Sequence, residues 1–323
     1  MLPCLRSCGG IATVCVMATP DSKPGSPRLR RSLLFVPGDD RHKMEKSLRA
    51  GSDSLIFDLE DAVVPAHKAK AREMVRDALL SLDFKGAEKL VRINPLETGL
   101  TLDDLTVTMA GHPDGYVVPK VRSEDDVRFI DRALANFEAL VGREQGSVRL
   151  VLLATETPEG ILNIRRVAQA SLRSAALMWA SEDLSNALGS RRSRKPDGSL
   201  PDVFQFARSA CLLAAAAAGM DPLDMPFFDF HDDEGLEREA QEAADLGFTG
   251  KAAIHPAQIP IINRVFVPSD EEVAEANALL AAATEAFARG QAAFVYKGAM
   301  VDAPHINRAR KIVARAAAGR AAS

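Results

Sequence analysis

The sequence predicts a closed barrel of eight parallel β-strands surrounded by helices, the α/β fold known as the (β/α)8 or TIM barrel. Eight short apolar runs recur from residue 31 onward. The segments between them have the apolar spacing of amphipathic helices. A length of 323 residues suits one large domain of this class. The predicted strands are Ser32–Val36, Ser54–Phe57, Leu90–Ile93, Gly115–Val118, Leu150–Ala154, Ala175–Ala180, Met225–Phe228 and Lys251–Ile254.

Strands that are apolar throughout and alternate with helices indicate a parallel sheet covered by helices. Helical periodicity is clear from Asp125 to Leu140 and from Leu236 to Leu246, and the alanine-rich segment from Ala210 to Gly219 is typical of a tightly packed helix. No Gly-x-Gly-x-x-Gly motif follows the first strand, and the sequence has no Walker-type phosphate loop. A closed barrel therefore fits the pattern better than an open dinucleotide-binding sheet.

Residues 1–30 differ in composition from the rest of the chain. They are rich in arginine and poor in acids, and they include a Pro/Gly/Ser stretch from Pro20 to Pro27. We interpret this leader as disordered, or as translation upstream of a start at Met17, in a cytoplasmic protein. A mitochondrial presequence is the alternative.

The barrel is predicted to occupy residues 31–268, and residues 269–323 form a C-terminal extension. The extension is expected to contain a helix from Asp270 to Arg289, a β-like piece ending at Tyr296, and a basic helix from His305. A barrel does not need such an addition. We therefore expect the extension to cap the active-site face of its own subunit or of a neighbouring one.

Composition excludes several classes of function. A net charge of −4 and an aromatic content of 5% argue against a nucleic-acid partner. No apolar run is long enough to span a bilayer, so no membrane partner is expected. Three of the four cysteines lie in the leader, which argues against a disulfide framework and for a reducing compartment. The fourth, Cys211, is predicted to be a buried, inert thiol.

Two carboxylates follow predicted strands five and six. Glu156 comes directly after the fifth run and Asp183 after the sixth, and a helical pattern follows each. In a β/α barrel all such loops meet on the face that holds the active site. Two acids there suggest a site for a hard divalent cation such as Mg²⁺. The alternative is a pair of solvated loop acids.

Other charged residues also follow predicted strands. Asp58, Glu60 and Asp61 follow the second strand, and such a group is costly next to an apolar strand unless a cation joins it. Glu60 and Asp61 would hydrogen-bond metal-bound water, or Asp61 would cap the next helix. Arg92 ends the third strand, where its planar fork suits a substrate carboxylate. An ion pair with Asp58 or Glu60 is the structural alternative, and Lys120 after the fourth strand is another inward cation.

The loop after the first strand suggests a ligand that carries phosphate. Gly38 permits a close backbone approach, and Lys43 and Lys46 lie three residues apart on one face of the following helix. The start of that helix is a candidate anion site. A solvated helix face is the alternative interpretation of these residues.

Six motifs occur in one order along the chain: Arg31-Ser-Leu-Leu-Phe-Val-Pro-Gly38, Phe57-Asp-Leu-Glu-Asp-Ala-Val63, Val91-Arg-Ile-Asn94, Glu156-Thr-Pro-Glu-Gly160, Ser181-Glu-Asp-Leu184 and Ile254-His-Pro-Ala-Gln258. In these motifs the sequence strongly resembles the citrate lyase β-subunit-like branch of the HpcH/HpaI aldolase family, which includes the malyl-CoA lyases. The resemblance extends from residue 31 through the final segment around Asp302.

The resemblance implies a barrel that binds Mg²⁺ and acyl-CoA thioesters. By motif, Glu156 and Asp183 would ligate the metal, with Glu156 also near the substrate, and Arg92 would hold the substrate carboxylate of a 2-oxo acid. Asp302 resembles the catalytic acid that a neighbouring subunit's extension delivers, and relatives are commonly homotrimers or homohexamers. Relatives often have glycine where Ser181 stands, which implies a tighter loop here.

Three functions stay open at this level. The first is a lyase that cleaves malyl-CoA, a methylated homologue or citramalyl-CoA to acetyl-CoA and a 2-oxo acid, with thioester hydrolysis as a possible further activity of the same site. The second is the β subunit of a citrate lyase complex that acts on citryl-acyl carrier protein. The third is a non-catalytic barrel that binds a partner, which the joint presence of Glu156, Asp183, Arg92 and Asp302 argues against.

Overall fold

Eight parallel strands close into a barrel in the order in which they occur along the chain, with β8 paired to β1. This is a computed structural model, and it describes residues 28–321. The predicted (β/α)8 fold is confirmed. The strands are β1 Ser32–Pro37, β2 Ser54–Asp58, β3 Glu88–Arg92, β4 Gly115–Val118, β5 Arg149–Leu152, β6 Ser174–Met178, β7 Asp221–Asp224 and β8 Gly250–Ala253.

Helices follow every strand and cover the outside of the barrel. The predicted helices after β4 and β7 are observed within three residues of their expected bounds, and the alanine-rich segment is part of a long helix. The helices of the barrel are α1 Arg41–Ser47, α2 Lys68–Ser81, α3 Thr101–Thr108, α4 Glu124–Leu140, α5 Pro158–Leu162, α6 Ile164–Ala168, α7 Glu182–Ala187, α8 Asp202–Ala218, α9 Asp233–Leu246 and α10 Ile259–Val265. No helix in the described part of the chain is long and apolar enough to cross a membrane.

The apolar side chains of the strands divide between two cores. One set fills the barrel interior and includes Leu33, Ile56, Val117 and Leu223. The other set faces outward and packs against the helices, with Trp179 fully buried among them. Because successive strand residues point to opposite sides, a strand buried on both faces must be apolar at nearly every position. This is why the sequence shows continuous apolar runs rather than alternation.

The prediction of the seventh strand at Met225–Phe228 was wrong. The strand is Asp221–Asp224, directly before it, with sequence Asp-Pro-Leu-Asp. Such a sequence is typical of a turn, since proline lacks an N–H and aspartate is rare in strands. The structure compensates both acids with distant cations: Asp221 accepts from Arg30 at 2.8 Å and Asp224 from Lys251 at 2.7 Å.

Residues that the sequence assigned to the leader already belong to the barrel base. Arg30 is 8% exposed and donates to both carboxylate oxygens of Glu88 at 2.6 and 2.8 Å. Arg28 forms an ion pair with Asp114 at 2.8 Å. Residues 1–27 lie outside the described residues, so the interpretations of the leader stay predictions.

The C-terminal extension is a helical hairpin with a small sheet between its arms. Helix α11, Asp270–Ala288, packs against α12, Ala303–Ala321, which begins two residues before the predicted start at His305. Between them β9 Phe294–Tyr296 and β10 Ala299–Val301 pair in an antiparallel fashion. Arg315 of α12 is close enough to Asp221 for its charge to favour the ionised carboxylate. The far part of α12 therefore lies at the barrel base.

A buried ion network connects α4 to the bases of β5 and β6. Glu138 is fully buried, receives two hydrogen bonds from Arg173 at 2.6 and 2.7 Å, and accepts backbone N–H groups from Gly146 and Val148 at 2.8 Å. Arg173 also bonds to Asp131 of α4. Burial alone would raise the pKa of Glu138, but Arg173 and the two N–H groups outweigh it and hold that pKa below its usual range. The network anchors the two strands that lead to Glu156 and Asp183.

We expect Glu138→Gln to lower the free energy of unfolding at pH 7 by about 3 kcal/mol, because it leaves Arg173 buried without its counter-charge. A carboxylate with a depressed folded-state pKa stabilises the fold above its unfolded pKa and loses that contribution as pH falls through the folded pKa. The deficit relative to wild type should therefore shrink as the pH falls below about 4.5. Urea unfolding at pH 7 and at several acidic pH values measures it, and a deficit that does not change with pH would contradict this account.

Candidate active site

The charged residues singled out after the strands meet at one rim of the barrel. Asp58 and Arg92 end β2 and β3, Lys120 lies just beyond β4, and Glu156 and Asp183 follow β5 and β6. All strands are parallel, so these positions share the rim formed by the carboxyl ends of the strands.

Asp58 holds Arg92 in a paired, planar contact. The Arg92 Nε donates to Asp58 Oδ1 at 2.7 Å and Nη2 donates to Oδ2 at 2.5 Å. The Nη1 atom lies 2.8 Å from Glu60 Oε2, and the guanidinium stacks over Phe35 at 4.9 Å. The structural ion pair considered from the sequence is therefore present. A guanidinium carries five N–H groups, so these three contacts leave donor capacity for a ligand carboxylate.

Lys120 touches both predicted metal ligands. Its backbone N–H donates to Glu156 Oε2 at 2.6 Å, and its ammonium lies 3.3 Å from Asp183 Oδ1. The ammonium also bonds to Glu60 and lies 3.8 Å from Asp61 Oδ1. The residue has a φ of 52°, in the left-handed region that costs a non-glycine residue about 1–2 kcal/mol. The sequence identified an inward cation here, but neither the left-handed backbone nor the contact with both acids could be anticipated from it.

Glu156 is a buried carboxylate in negative surroundings. It is 3% exposed, and burial together with the charges of Glu60 and Asp183 raises its pKa to about 8. Arg92 and the N–H of Lys120 oppose this rise only in part. The loop that carries Glu156 is tied to the loop that carries Asp183, because Thr155 Oγ1 accepts the N–H of Ala180 at 2.9 Å.

The acids of this rim outnumber its bases. Asp58, Glu60, Asp61, Glu156 and Asp183 are joined by the side chains of Arg92 and Lys120. A second ammonium, that of Lys68, donates to the carbonyls of Leu59 and Glu60 at 2.8 Å. The cluster therefore keeps an excess of negative charge when all groups are ionised.

Oxygen donors with an unbalanced negative charge fit a hard dication. Mg²⁺ binds through one or two protein carboxylates and keeps several positions for water and substrate oxygens. Among residues 28–321, no three or more His, Cys, Asp or Glu side chains are arranged to hold a metal by themselves. The charges of both Glu60 and Asp183 act on Glu156. Glu156 and Asp183, which follow the adjacent strands β5 and β6, stay the predicted residues that would hold Mg²⁺.

Gly38 approaches the neighbouring strand rather than an open space for ligand. Its N–H donates to the Asp58 carbonyl at 2.8 Å, and a Cβ at this position would lie 2.5 Å from that oxygen. At the start of α1 the Asp40 carboxylate accepts the N–H of Lys43 at 3.0 Å, which occupies one N–H group of the predicted anion site. The anion site stays a prediction. Lys43 and Lys46 are exposed on α1, as their predicted role in binding phosphate requires.

Asp302 precedes α12 in the extension and is separate from the rim in this chain. Its Oδ1 bonds to His305 Nδ1 at 2.6 Å, and both side chains are partly exposed. Within the described residues, the contacts found for Asp302 include none to Glu156, Asp183 or Arg92.

Residues of the basic loop from Arg191 to Pro201 line a cavity beside β7. Arg194 donates to Glu239 of α9 at 2.6 Å and to the Gly198 carbonyl at 3.0 Å. The cavity has a volume of about 1140 Å³ and is also lined by Trp179 and Asp224.

Asp61 is 61% exposed and lies near Arg92 and Lys120, and it does not cap a helix.

Comparison with known proteins gives a consistent result. Over 292 residues the chain is 37% identical to the citrate lyase subunit beta of Haemophilus influenzae, covering 90% of this chain and 98% of that protein. It is 35% identical over 308 residues to the L-malyl-CoA/beta-methylmalyl-CoA lyase of Cereibacter sphaeroides, covering 91% and 96%. The crystal structure of the protein CitE from Mycobacterium tuberculosis, in complex with magnesium, acetoacetate and coenzyme A, superposes with a TM-score of 0.73 at 34% identity, covering 88% and 97%.

The model of the HpcH/HpaI aldolase/citrate lyase family matches residues 31–256. This range contains all eight strands and every rim residue described above. The chain belongs to the HpcH/HpaI aldolase/citrate lyase family.

Proposed function

We propose that this protein is a Mg²⁺-dependent carbon–carbon lyase that cleaves acyl-CoA thioesters of the malyl-CoA or citramalyl-CoA type. The observation that carries the proposal is the pair of carboxylates Glu156, which is buried, and Asp183, which is partly exposed, at the same rim as Arg92. The Cereibacter relative, named for its action on malyl-CoA and beta-methylmalyl-CoA, supports the substrate class. The magnesium and coenzyme A of the CitE complex support the cofactor and the thioester.

In this proposal the acidic residues would bind the metal and its water, and the basic residue Arg92 would bind the substrate. Glu156 and Asp183 would hold the metal, and the bound Mg²⁺ would supply Lewis-acid polarisation of the 2-oxo group. Arg92 would bind the substrate carboxylate through the N–H groups that Asp58 and Glu60 leave free. Glu60 and Asp61, which contact the Lys120 ammonium, would also orient water around the metal.

Asp302 is the proposed general base. In the condensing direction its carboxylate would take a proton from the methyl group of acetyl-CoA, and the resulting carbanion would form the new bond to the 2-oxo carbon. The 2-oxo oxygen, which receives the electrons of the carbonyl double bond, would take a proton from solvent and become the hydroxyl. In cleavage the hydroxyl would return its proton to solvent, the carbonyl would re-form as the carbon–carbon bond breaks, and Asp302 would return its proton to the acetyl-CoA carbon. The described side-chain contact of Asp302 is with His305, and the family resemblance supports delivery of this acid by a neighbouring subunit. We therefore propose a homotrimer or homohexamer in which extensions are exchanged.

The β subunit of a citrate lyase complex is the second candidate. The Haemophilus relative supports it, since it matches this chain over nearly its whole length. A β subunit would act on citryl groups carried by an acyl carrier protein and would need its partner chains. Thioester hydrolysis is a further activity that the same metal and thioester site would support.

The first test is turnover by the purified protein alone with a panel of CoA thioesters, with and without Mg²⁺. We expect release of acetyl-CoA and a 2-oxo acid only with Mg²⁺. Glu156→Gln should lower the turnover rate on the order of a hundredfold or more, because loss of a metal ligand should cost at least as much activity as loss of a residue that only orients a metal ligand. Activity that appears only with added acyl carrier protein chains would favour the second candidate. Inertness under every condition would favour a non-catalytic barrel.

Asp302→Asn is expected to slow turnover by about 10²–10⁴-fold, the usual contribution of a general base. It should also abolish the exchange of acetyl-CoA methyl protons with deuterated water, which mass spectrometry follows without need of a second substrate. Thermal unfolding of the variant provides the control for folding. Wild-type exchange in a folded Asp302→Asn protein would remove Asp302 from the role of base.

Exchange of extensions can be tested by complementation. Co-expression of Asp302→Asn chains with Glu156→Gln chains should restore about a quarter of wild-type activity under random assembly, because one site in four combines an intact rim with an intact neighbouring extension. The matched control is co-expression of Glu156→Gln with Asp183→Asn, where every rim carries a lesion and no recovery is expected. Failure of the first mixture, with mixed oligomers demonstrated, would show that Asp302 acts within its own chain.

A further inference from the structure

Lys120 has an unusual combination of contacts for a side chain at a metal site. Its backbone N–H holds Glu156 and its ammonium contacts Asp183, so one basic residue joins the two carboxylates that would bind the dication. The ammonium is the nearest described cation to Asp183, and its side chain is only 19% exposed. We propose that Lys120 is a built-in counter-ion that competes with Mg²⁺ for Asp183 and thereby sets the affinity of the site.

The charges around Lys120 require such a role. Its ammonium faces Glu60, Asp61 and Asp183, and Arg92 is the other cation in contact with Glu60 and Asp61. Without a bound dication, Asp183 would face Glu156 and Glu60 with no opposing charge nearer than this ammonium. Because like charges that are partly shielded from water repel, the Lys120 ammonium would stabilise the metal-free rim.

The backbone of Lys120 separates its two contacts. With a left-handed φ of 52°, the backbone N–H bonds to Glu156, while the ammonium bonds to Glu60 and lies 3.3 Å from Asp183 Oδ1. A dication held by Glu156 and Asp183 would repel the ammonium, which carries a full positive charge, far more strongly than the uncharged backbone N–H group that bonds to Glu156. Glu60 then remains as the partner of the displaced ammonium. The N–H therefore orients a ligand in both states, and only the ammonium competes.

This inference rests on the proposed Mg²⁺ site, and its test uses MgCl₂ alone. Calorimetric titration should show that Lys120→Met binds Mg²⁺ about tenfold more tightly than wild type, within the usual range of coupling between two interacting sites. The metal-free variant should unfold at a lower temperature than wild type, and saturating Mg²⁺ should restore more of its stability than it adds to wild type. Affinity that is unchanged or weakened in Lys120→Met would overturn the proposal, because a residue that only orients the ligands would weaken binding when lost.

Two further variants distinguish the effect of the Lys120 ammonium on Mg²⁺ affinity from effects of folding and of other nearby charges. Lys120→Gly removes the ammonium and suits the left-handed backbone, so it should reproduce the tighter binding even if Lys120→Met folds poorly. Lys68→Met removes an ammonium that contacts the carbonyl of Glu60 but not Asp183, and its Mg²⁺ affinity should stay within about twofold of wild type. An equal gain in Mg²⁺ affinity in Lys68→Met would show that loss of any nearby positive charge tightens binding, and that Lys120 does not compete specifically at Asp183.

The metal assignment fails separately from the role of Lys120. If Glu156→Gln and Asp183→Asn leave Mg²⁺ affinity at the wild-type value, the dication binds elsewhere and the proposed function loses its metal site. If both variants lose binding while Lys120→Met does not gain it, the site is correct and the competition is absent.

Discussion

Charge balance at the carboxyl-end rim is the constraint on which the rest of the site depends. Five carboxylates gather there because the segments after β2, β5 and β6 converge at one rim of a parallel barrel, and three of the five carboxylates are almost fully buried. Burial of an ionised acid is unfavourable without a partner, so each acid requires a cation, a backbone donor or a proton. Asp58 has Arg92, Glu60 has Lys120, and Glu156 has a single N–H and a strongly raised pKa. Glu156, whose negative charge has the fewest neutralising contacts, is thus the acid best suited to bind a metal.

The same constraint explains the architecture below the rim. Strands β5 and β6 carry the loops of Glu156 and Asp183, and the Glu138–Arg173 network fixes both strands at the opposite end. Thr155 and Ala180 connect the two loops near the acids. Repulsion between the carboxylates acts against a frame that is held at both ends, which keeps the acids close when no metal is bound.

Most of the fold followed from local pattern, because seven of the strands are apolar runs with little ambiguity. β7 did not, since Asp221 and Asp224 are compensated by Arg30 and Lys251, which are distant in sequence and adjacent only in the closed barrel. The positions of the site acids were predictable from strand order, whereas their contacts were not. Arg92 combines an ion pair with its predicted ligand role, and the conformation of Lys120 depends on a backbone angle that no sequence pattern indicates. The metal, substrate and base assignments stay predictions.

The contact between Gly38 and the Asp58 carbonyl couples the first loop to the arginine of the site. A side chain at position 38 would have to push the end of β2 away, since backbone rather than a flexible side chain blocks it. Asp58 would move with that strand end and carry Arg92 with it. Even replacement of Gly38 by alanine, the smallest change, would therefore misalign Arg92, the predicted binding group for the substrate carboxylate, without contacting it. Sequence variation in this loop is limited by the alignment of a neighbouring strand, independently of any ligand that the loop binds.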